Sequence, residues 1–112
     1  MTAMILSRLT DPKLLRQIVR ILLKRKPVSK VVLFGSRARG DATTVSDLDI
    51  AIFDRRWTDR DVNLAKQDLE EMLSTPLKID LVEYYGIQKE KLRKNILKEG
   101  KVLYDSRPGQ RS

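Results

Sequence analysis

Residues 31–53 read VVLFGSRARGDATTVSDLDIAIF, and this stretch decides the fold. It begins with residues 31–34, a continuous apolar run that is typical of a buried strand and ends abruptly at Gly35 and Ser36. A second apolar run, Leu48–Phe53, predicts a second strand. The polar residues between the runs favour a turn or short helix followed by a loop. Because this connection is too short for a comfortable crossover, we expect the two strands to pair antiparallel.

The segment before these strands carries the signals of a helix. Asp11 is a good N-cap residue, and Pro12 suits the first helical position. Pro27 disfavours helix at the residue before it, so we expect this helix to end near Arg25. Its apolar residues recur at helical spacing: Leu14, Leu15, Ile18, Val19, Leu22 and Leu23.

Two further helices and a third strand are predicted after residue 53. Thr58 and Asp61 have the spacing of a capping box and open an amphipathic helix. Its inward positions are Val62, Leu64 or Ala65, Leu69, Met72 and Leu73. Residues 79–82 predict a strand, and residues 87–99 predict a last helix with Gly100 as its C-cap. The inward positions of that helix are Ile87, Leu92, Ile96 and Leu97.

The order of these elements predicts an α/β (α+β) domain of two layers, a small mixed three-stranded sheet with flanking helices. The chain of 112 residues is long enough for about one domain. We expect that domain over residues 1–105, ending in a short extended piece at 102–104, and a flexible C-terminal tail over residues 106–112. No apolar run approaches the length of a membrane span, and residues 1–13 lack a signal peptide's basic start. We therefore expect a cytoplasmic protein with no membrane partner.

Composition excludes several classes of catalytic chemistry. The chain has no cysteine and no histidine, which rules out disulfides, thiolate nucleophiles, Ser-His-Asp triads and zinc sites built on these residues. Chemistry must then come from carboxylates, hydroxyls, Lys and Arg, and a hard metal ion. The net charge of +8 is uneven, with +7 in residues 1–30, −4 in residues 31–85 and +5 in residues 86–112. The basic ends suit an acidic partner, a polyphosphate or nucleic acid, or are simply solvated.

Carboxylates are concentrated at the two later strands. Side chains of a strand alternate between its faces, so Asp47 and Asp49 lie on one side, opposite the apolar residues between and after them. Asp80 is flanked by Ile79 and Leu81, so it also faces away from the core. If the two strands are neighbours, three carboxylates meet, an arrangement that is costly unless a cation neutralises them. An oxygen-only ligand set favours Mg²⁺ or Mn²⁺. Alternatively, Asp80 forms an ordinary salt bridge with Lys78 or Arg37.

The turn after the first strand has the features of an anion site. Gly35 lets the backbone approach a ligand closely, and the N–H groups at a helix start bind anions. The Ser36 hydroxyl, Arg37 and Arg39 can add hydrogen bonds and positive charge. Together with the carboxylates, the turn predicts a site for a nucleoside triphosphate and divalent metal.

The run GSRARGDATTVSDLDIAIF resembles the signature of the polymerase-β-like nucleotidyltransferase superfamily, which is Gly-Ser, ten residues, then Asp-x-Asp. The ending IDLVEYYGIQKEKLRKNILKEGKVLY is similar to that of the minimal nucleotidyltransferases, the MNT proteins. This resemblance implies the polymerase-β-like palm fold.

The resemblance also implies the roles of the site residues. Gly35 and Ser36 would contact the triphosphate of the nucleotide. Asp47 and Asp49 would ligate two Mg²⁺ ions, and Asp80 would complete the second metal site and help to deprotonate the acceptor hydroxyl. The remaining candidate nucleotide-binding residues are Arg37, Arg39 and Ser46.

Minimal members of the superfamily act as antitoxins beside HEPN-domain ribonuclease toxins, and active examples transfer AMP from ATP onto a toxin tyrosine. The resemblance therefore implies ATP or another nucleoside triphosphate and a HEPN-domain toxin as partners. One alternative is a binding module that neutralises its partner by complex formation without turnover. A small-molecule acceptor is a variant of the enzymatic interpretation, and a homo-oligomer is compatible with both. Direct nucleic-acid binding is disfavoured, since only 6 of 112 residues are aromatic.

Overall fold

The computed structural model describes residues 10–40 and 47–107, and its elements alternate between helix and strand. The helices are α1 (Pro12–Arg25), the short α2 (Ser36–Arg39), α3 (Asp59–Met72) and α4 (Glu90–Glu99). The strands are β1 (Lys30–Phe34), β2 (Leu48–Phe53), β3 (Ile79–Glu83) and β4 (Lys101–Asp105). A single 3₁₀ turn, Tyr84–Gly86, links β3 to α4.

The four strands form one mixed sheet in the order β3-β2-β1-β4. Strand β1 pairs antiparallel with both β2 and β4, while β2 and β3 are parallel. The predicted α/β class and the antiparallel β1–β2 pair are confirmed. The predicted strand count of three was too low, because the extended piece near the C-terminus pairs with β1. This pairing satisfies backbone groups along an edge of β1 that would otherwise lack partners.

Capping begins α1 and α3 where the sequence predicted. A carboxylate oxygen of Asp11 accepts a hydrogen bond from the Lys13 N–H at 2.9 Å, and α1 ends at Arg25 as expected. At α3, the Thr58 hydroxyl accepts from the Asp61 N–H, and the Asp61 carboxylate accepts from the Thr58 N–H. This reciprocal pair satisfies two N–H groups that have no partner within the helix.

The core has two parts, one on each face of the sheet. Helices α1 and α3 cover one face, where Leu48, Ile50 and Ile52 are fully buried. Helix α4 covers part of the other face, where it packs against Ala51 and Phe53. Strand β2 is therefore buried on both faces, and the two layers predicted from the sequence become three with α4.

Helix α4 differs from its prediction in length and orientation. It begins at Glu90 rather than residue 87, because the preceding residues form the 3₁₀ turn and an extended cap at Ile87. Ile96 is buried, but Leu97, predicted to face inward, is 63% exposed. A single helix lying on one half of a sheet face buries only a narrow stripe of its surface. Gly100 does cap the helix, donating its N–H to the Ile96 carbonyl at 2.9 Å.

Some predictions concern residues at the margins of the described chain. Strand β4 ends at Asp105, and the Ser106 N–H donates to the Ser29 carbonyl at 2.9 Å. Residues 108–112 lie outside the described residues, so the division into a domain of residues 1–105 and a flexible tail stays a prediction.

Met72, predicted to face inward from α3, is 58% exposed. Within residues 10–40 and 47–107, no helix has both the length and the apolar character needed to cross a membrane.

Candidate active site

The parallel pairing of β2 with β3 places Asp49 directly beside Asp80. The Leu48 N–H donates to the Lys78 carbonyl at 2.9 Å, which holds the beginnings of the two strands together. Residue partners in neighbouring strands lie about 5 Å apart and point to the same face. Ile79 and Leu81 pack into the core on the α1 and α3 side, as predicted, so the two carboxylates lie on the opposite face.

The three candidate acids act on one another electrostatically. The pKa of Asp49 is raised above its ordinary value, first by burial and then by the negative charges of Asp80 and Asp47, whereas Arg39 opposes the shift. We call Asp47, Asp49 and Asp80 the acid cluster. Such mutual repulsion is the condition that a bound cation relieves.

The donor chemistry of the acid cluster fits a hard divalent ion. Carboxylate oxygens are the ligands that Mg²⁺ and Mn²⁺ prefer, so Asp47, Asp49 and Asp80 are the residues that would hold such an ion. Within residues 10–40 and 47–107, no three acidic side chains are gathered closely enough to form a ready-made metal-binding group. The acids are thus near enough to raise the pKa of Asp49 without forming a closed ligand cage.

Gly35 lies against the acid cluster in a backbone conformation that suits glycine. It joins β1 to α2 with φ 76° and ψ −160°, a region essentially restricted to glycine. A Cβ atom at this position would overlap Oδ2 of Asp49. The antiparallel pairing of Phe34 with Asp49 brings this turn beside the carboxylate. The structure therefore brings together the Gly-Ser turn, with Ser36 as the first residue of α2, and the start of β2.

The two arginines of the turn point to different surroundings. Arg39 is half-exposed and forms an ion pair with Glu99 at 3.2 Å, and its charge opposes the rise in the pKa of Asp49. Arg37 is only 6% exposed, and its guanidinium donates to the Thr10 hydroxyl at 3.2 Å. The structure thus places Arg39 near the acid cluster and Arg37 within the fold. Ser46 lies outside the described residues.

Sequence reasoning did not find Glu99 as a neighbour of the site. It stands sixty positions after Arg39, and no local pattern relates the two residues. The ion pair depends on α4 ending beside α2, which is a property of the tertiary fold. The alternative salt bridge between Asp80 and Lys78 does not form among the residues that the structure describes.

Comparison with protein families decides the general chemistry of this site. Residues 16–108 match the polymerase beta nucleotidyltransferase family, a span that contains the Gly-Ser turn and all three acids. The chain belongs to this family. It is accordingly a nucleotidyltransferase, and its mixed sheet with flanking helices is the fold of that family.

Individual relatives agree with this assignment. The chain is 32% identical over 107 residues to a protein of Methanocaldococcus jannaschii named "Putative protein adenylyltransferase MJ0604", covering 86% of this chain and 100% of that protein. Its fold is similar to one in a crystal structure of a toxin–antitoxin with AMP-PNP, with TM-score 0.70 and 24% identity over 83% of this chain and 74% of the other. The MntA–HepT toxin–antitoxin structure gives TM-score 0.66 and 21% identity over 86% and 74% of the two chains.

Proposed function

We propose that this chain transfers AMP from ATP to a tyrosine hydroxyl of a HEPN-type toxin in a Mg²⁺-dependent reaction, and so acts as an antitoxin. The observation that carries the proposal is the parallel register that sets Asp49 beside Asp80, with Gly35 lying against Asp49. Two comparisons support it: a relative named as a protein adenylyltransferase, and similar folds in toxin–antitoxin structures, one with AMP-PNP.

The proposed reaction exchanges one bond at phosphorus. The acceptor oxygen bonds to the α-phosphorus of ATP, the bond from that phosphorus to the bridging oxygen of the β-phosphate breaks, and pyrophosphate leaves. The hydroxyl proton passes to the Asp80 carboxylate. Asp47, Asp49 and Asp80 would hold two Mg²⁺ ions, which would neutralise charge on the phosphates and on the attacking oxygen. The backbone at Gly35 and the Ser36 hydroxyl would orient the triphosphate, and Arg39 would add positive charge beside Asp49.

The architecture also explains why an acceptor protein is expected. The described residues form one sheet with helices on its faces, and Asp49 and Asp80 are partly exposed on the face that α4 covers in part. No second folded unit among residues 10–40 and 47–107 could hold an acceptor against the acids. A partner protein would supply that wall and thereby position its own hydroxyl group.

The test incubates the chain with ATP labelled at its α-phosphate, Mg²⁺ and the HEPN-domain protein encoded beside it. We expect label on the partner, with transfer reduced at least about 100-fold in Asp47→Asn or Asp80→Asn. Asp59→Asn is the matched control, since Asp59 is an exposed aspartate at the start of α3. Transfer that survives in both site variants would contradict the proposed roles of these acids.

The same experiment separates catalysis from neutralisation by complex formation. If the partner's ribonuclease activity is inhibited equally by the wild-type chain and by Asp47→Asn, with no label transferred, the chain acts by occlusion. If inhibition requires ATP and is lost in Asp47→Asn, turnover neutralises the partner. Tyrosine as the acceptor is tested by changing each partner tyrosine to phenylalanine and locating the label by mass spectrometry.

A further inference from the structure

A groove of about 660 Å³ runs between α1 and β4, on the side of the sheet away from β3. Its apolar lining includes Leu15, Val19 and Leu23, which follow one another at four-residue spacing along α1. These side chains are half-buried and rest on the core below them. Val102 of β4 lines the opposite wall and is 58% exposed. The groove is therefore an apolar surface that the described chain covers only in part.

A row of cations borders this apolar surface. Arg16, Arg20 and Lys24 lie one position after the apolar residues of α1 and share their spacing, so they form a parallel ridge. All three are exposed, and none of the described residues that line the groove is acidic. Among the described residues these three cations form no ion pair.

In contrast, the cations at the end of α1 that faces α3 form ion pairs with carboxylates of the chain itself. Arg25 makes a two-pronged ion pair with Asp68 at 2.8 and 2.9 Å, and Lys26 pairs with Asp61 at 2.8 Å. Positive charge on that side is matched by carboxylates of the chain itself. Positive charge beside the groove is left for something outside the described residues to match.

We propose that this groove, with its cationic ridge, docks an amphipathic helix of a partner protein that carries leucine-like side chains on one face and Asp or Glu beside them. A second copy of the chain is the poorer occupant, because two chains of net charge +8 would bring like charges together at this surface. When an amphipathic helix binds in an apolar groove, the side chains at its positions i, i+3, i+4 and i+7 contact the groove. The identification of that partner with the nucleotidylated protein rests on the proposed function.

The position of the groove leaves the acid cluster free while a partner is docked. The groove lies at the β4 edge of the sheet on the α1 side, whereas Asp49 and Asp80 lie on the other face, in β2 and β3. Strands β4 and β2 are two positions apart, about 10 Å. A partner held at the edge can thus extend a different part of its surface around the sheet to the acids without displacing ATP.

The probe for this groove is a fluorescein-labelled helical peptide with a leucine stripe flanked by glutamates. Its control peptide has the same leucines and a lysine at each glutamate position. We expect the full chain to bind the glutamate peptide, more weakly as salt concentration rises, and to bind the lysine peptide at least about tenfold more weakly. Equal binding of the two peptides, or no binding of the glutamate peptide at low salt, would overturn the proposal.

Matched variants locate the binding surface. The double variant Arg16→Glu/Arg20→Glu should weaken binding of the glutamate peptide by about tenfold or more, since exposed charge contacts are reversed rather than removed. Arg60→Glu/Lys91→Glu has the same net charge and changes exposed cations on α3 and α4, so it should change binding by less than about twofold. Equal loss in the two double variants would show that net charge alone attracts the peptide.

Val102→Asp should also weaken binding of the glutamate peptide, because it places a carboxylate on the apolar wall. Urea unfolding of each variant shows that it is folded.

Two readouts keep this test separate from the proposed enzymatic function. Asp47→Asn should bind the peptide as the wild type does, and ATP binding should survive Arg16→Glu/Arg20→Glu. Peptide binding that depends on the groove would stand even if no AMP transfer were found.

Discussion

The two ends of β2 hold aspartates in opposite electrostatic states. At its start, Asp49 lies beside Asp80 and near Asp47, and its pKa is raised by burial and by these charges. Just beyond its end, Asp54 is buried, and its pKa lies well below the ordinary value because Arg56 and Ser29 donate hydrogen bonds to it. The fold therefore disfavours the charged form of the carboxylate at one end of β2 and stabilises the charged form of the carboxylate beyond the other end.

This difference separates a structural acid from a candidate functional one. The Asp54 carboxylate accepts from the N–H, Nε and terminal guanidinium nitrogen of Arg56, and from the N–H and hydroxyl of Ser29. These bonds close the turn after β2 and join it to the segment before β1. The start of β2 instead keeps acids together at a cost in free energy, which is typical of a site that binds a cation.

The largest effect on folding is expected from Asp54→Ala. Removing this buried carboxylate loses its hydrogen bonds from Ser29 and Arg56, which close the turn after β2, and this should lower the free energy of unfolding by about 2–4 kcal/mol. Urea unfolding measures the loss, with Asp59→Ala as the control. Transfer activity per folded molecule should be unchanged, and a loss below about 1 kcal/mol would contradict the structural role of Asp54.

Gly35→Ala tests the contact between the turn and the acid cluster. The positive φ and the overlap of a Cβ with Asp49 should cost about 1–3 kcal/mol of unfolding free energy. The displaced Asp49 carboxylate should also reduce transfer activity. Gly86→Ala is the matched control, because a Cβ there would meet only the end of the Glu83 side chain at 3.6 Å. Equal stability of the two variants would show that the turn tolerates a side chain.

Asp49→Asn should have opposite effects on stability and activity. Without metal at neutral pH, we expect the free energy of unfolding of the variant to be about 0.5–1 kcal/mol higher than that of the wild type, because the like charges of neighbouring strands no longer repel. Nucleotide transfer should be lost in the same variant. The stability measurement uses urea with a chelator present, and a destabilised Asp49→Asn would contradict the repulsion inferred for the acid cluster.

The smallest expected effect is on the pH dependence of stability, which sharpens the comparison between Asp49 and Asp54. A raised pKa means that protonation of Asp49 stabilises the fold, so the advantage of Asp49→Asn should shrink as pH falls through that raised pKa and be lost below the ordinary aspartate value of about 4. A lowered pKa means that Asp54 favours the fold only when ionised, so the deficit of Asp54→Ala should also shrink in acid, after being constant near neutrality. Urea midpoints from pH 3 to 7 measure both. As pH falls, the stability of Asp49→Asn relative to the wild type should decrease, and that of Asp54→Ala should increase. Changes in the same direction would contradict the comparison.

Local signals predicted the parts of the fold that depend on neighbouring residues. The capping residues Asp11 and Thr58 begin their helices as expected, and the short connection between β1 and β2 gave the antiparallel pair. The alternation of Asp47, Asp49 and Asp80 with apolar residues correctly assigned the face on which Asp49 and Asp80 lie. Each of these predictions depends on residues that lie close together in the sequence.

Predictions that required distant contacts were less successful. The fourth strand was missed because β4 is short and its pairing with β1 joins residues about 70 positions apart. Leu97 was expected inside because periodicity does not show how wide a stripe of α4 the sheet covers. The contact between the buried Arg37 and Thr10 also depends on where α1 packs and had no local signal, while a role of Arg37 in nucleotide binding stays a prediction.

The sequence by itself determined most of the helices and strands, the exclusion of cysteine and histidine chemistry, and the Gly-Ser and Asp-x-Asp spacing that resembles the nucleotidyltransferase signature. Only the tertiary structure decided that β3 lies parallel to β2 in the register that sets Asp80 beside Asp49. It also decided which cations of α1 meet carboxylates and which border the groove. The reason is physical: capping and periodicity act between near neighbours, whereas strand pairing and charge matching depend on packing between distant segments.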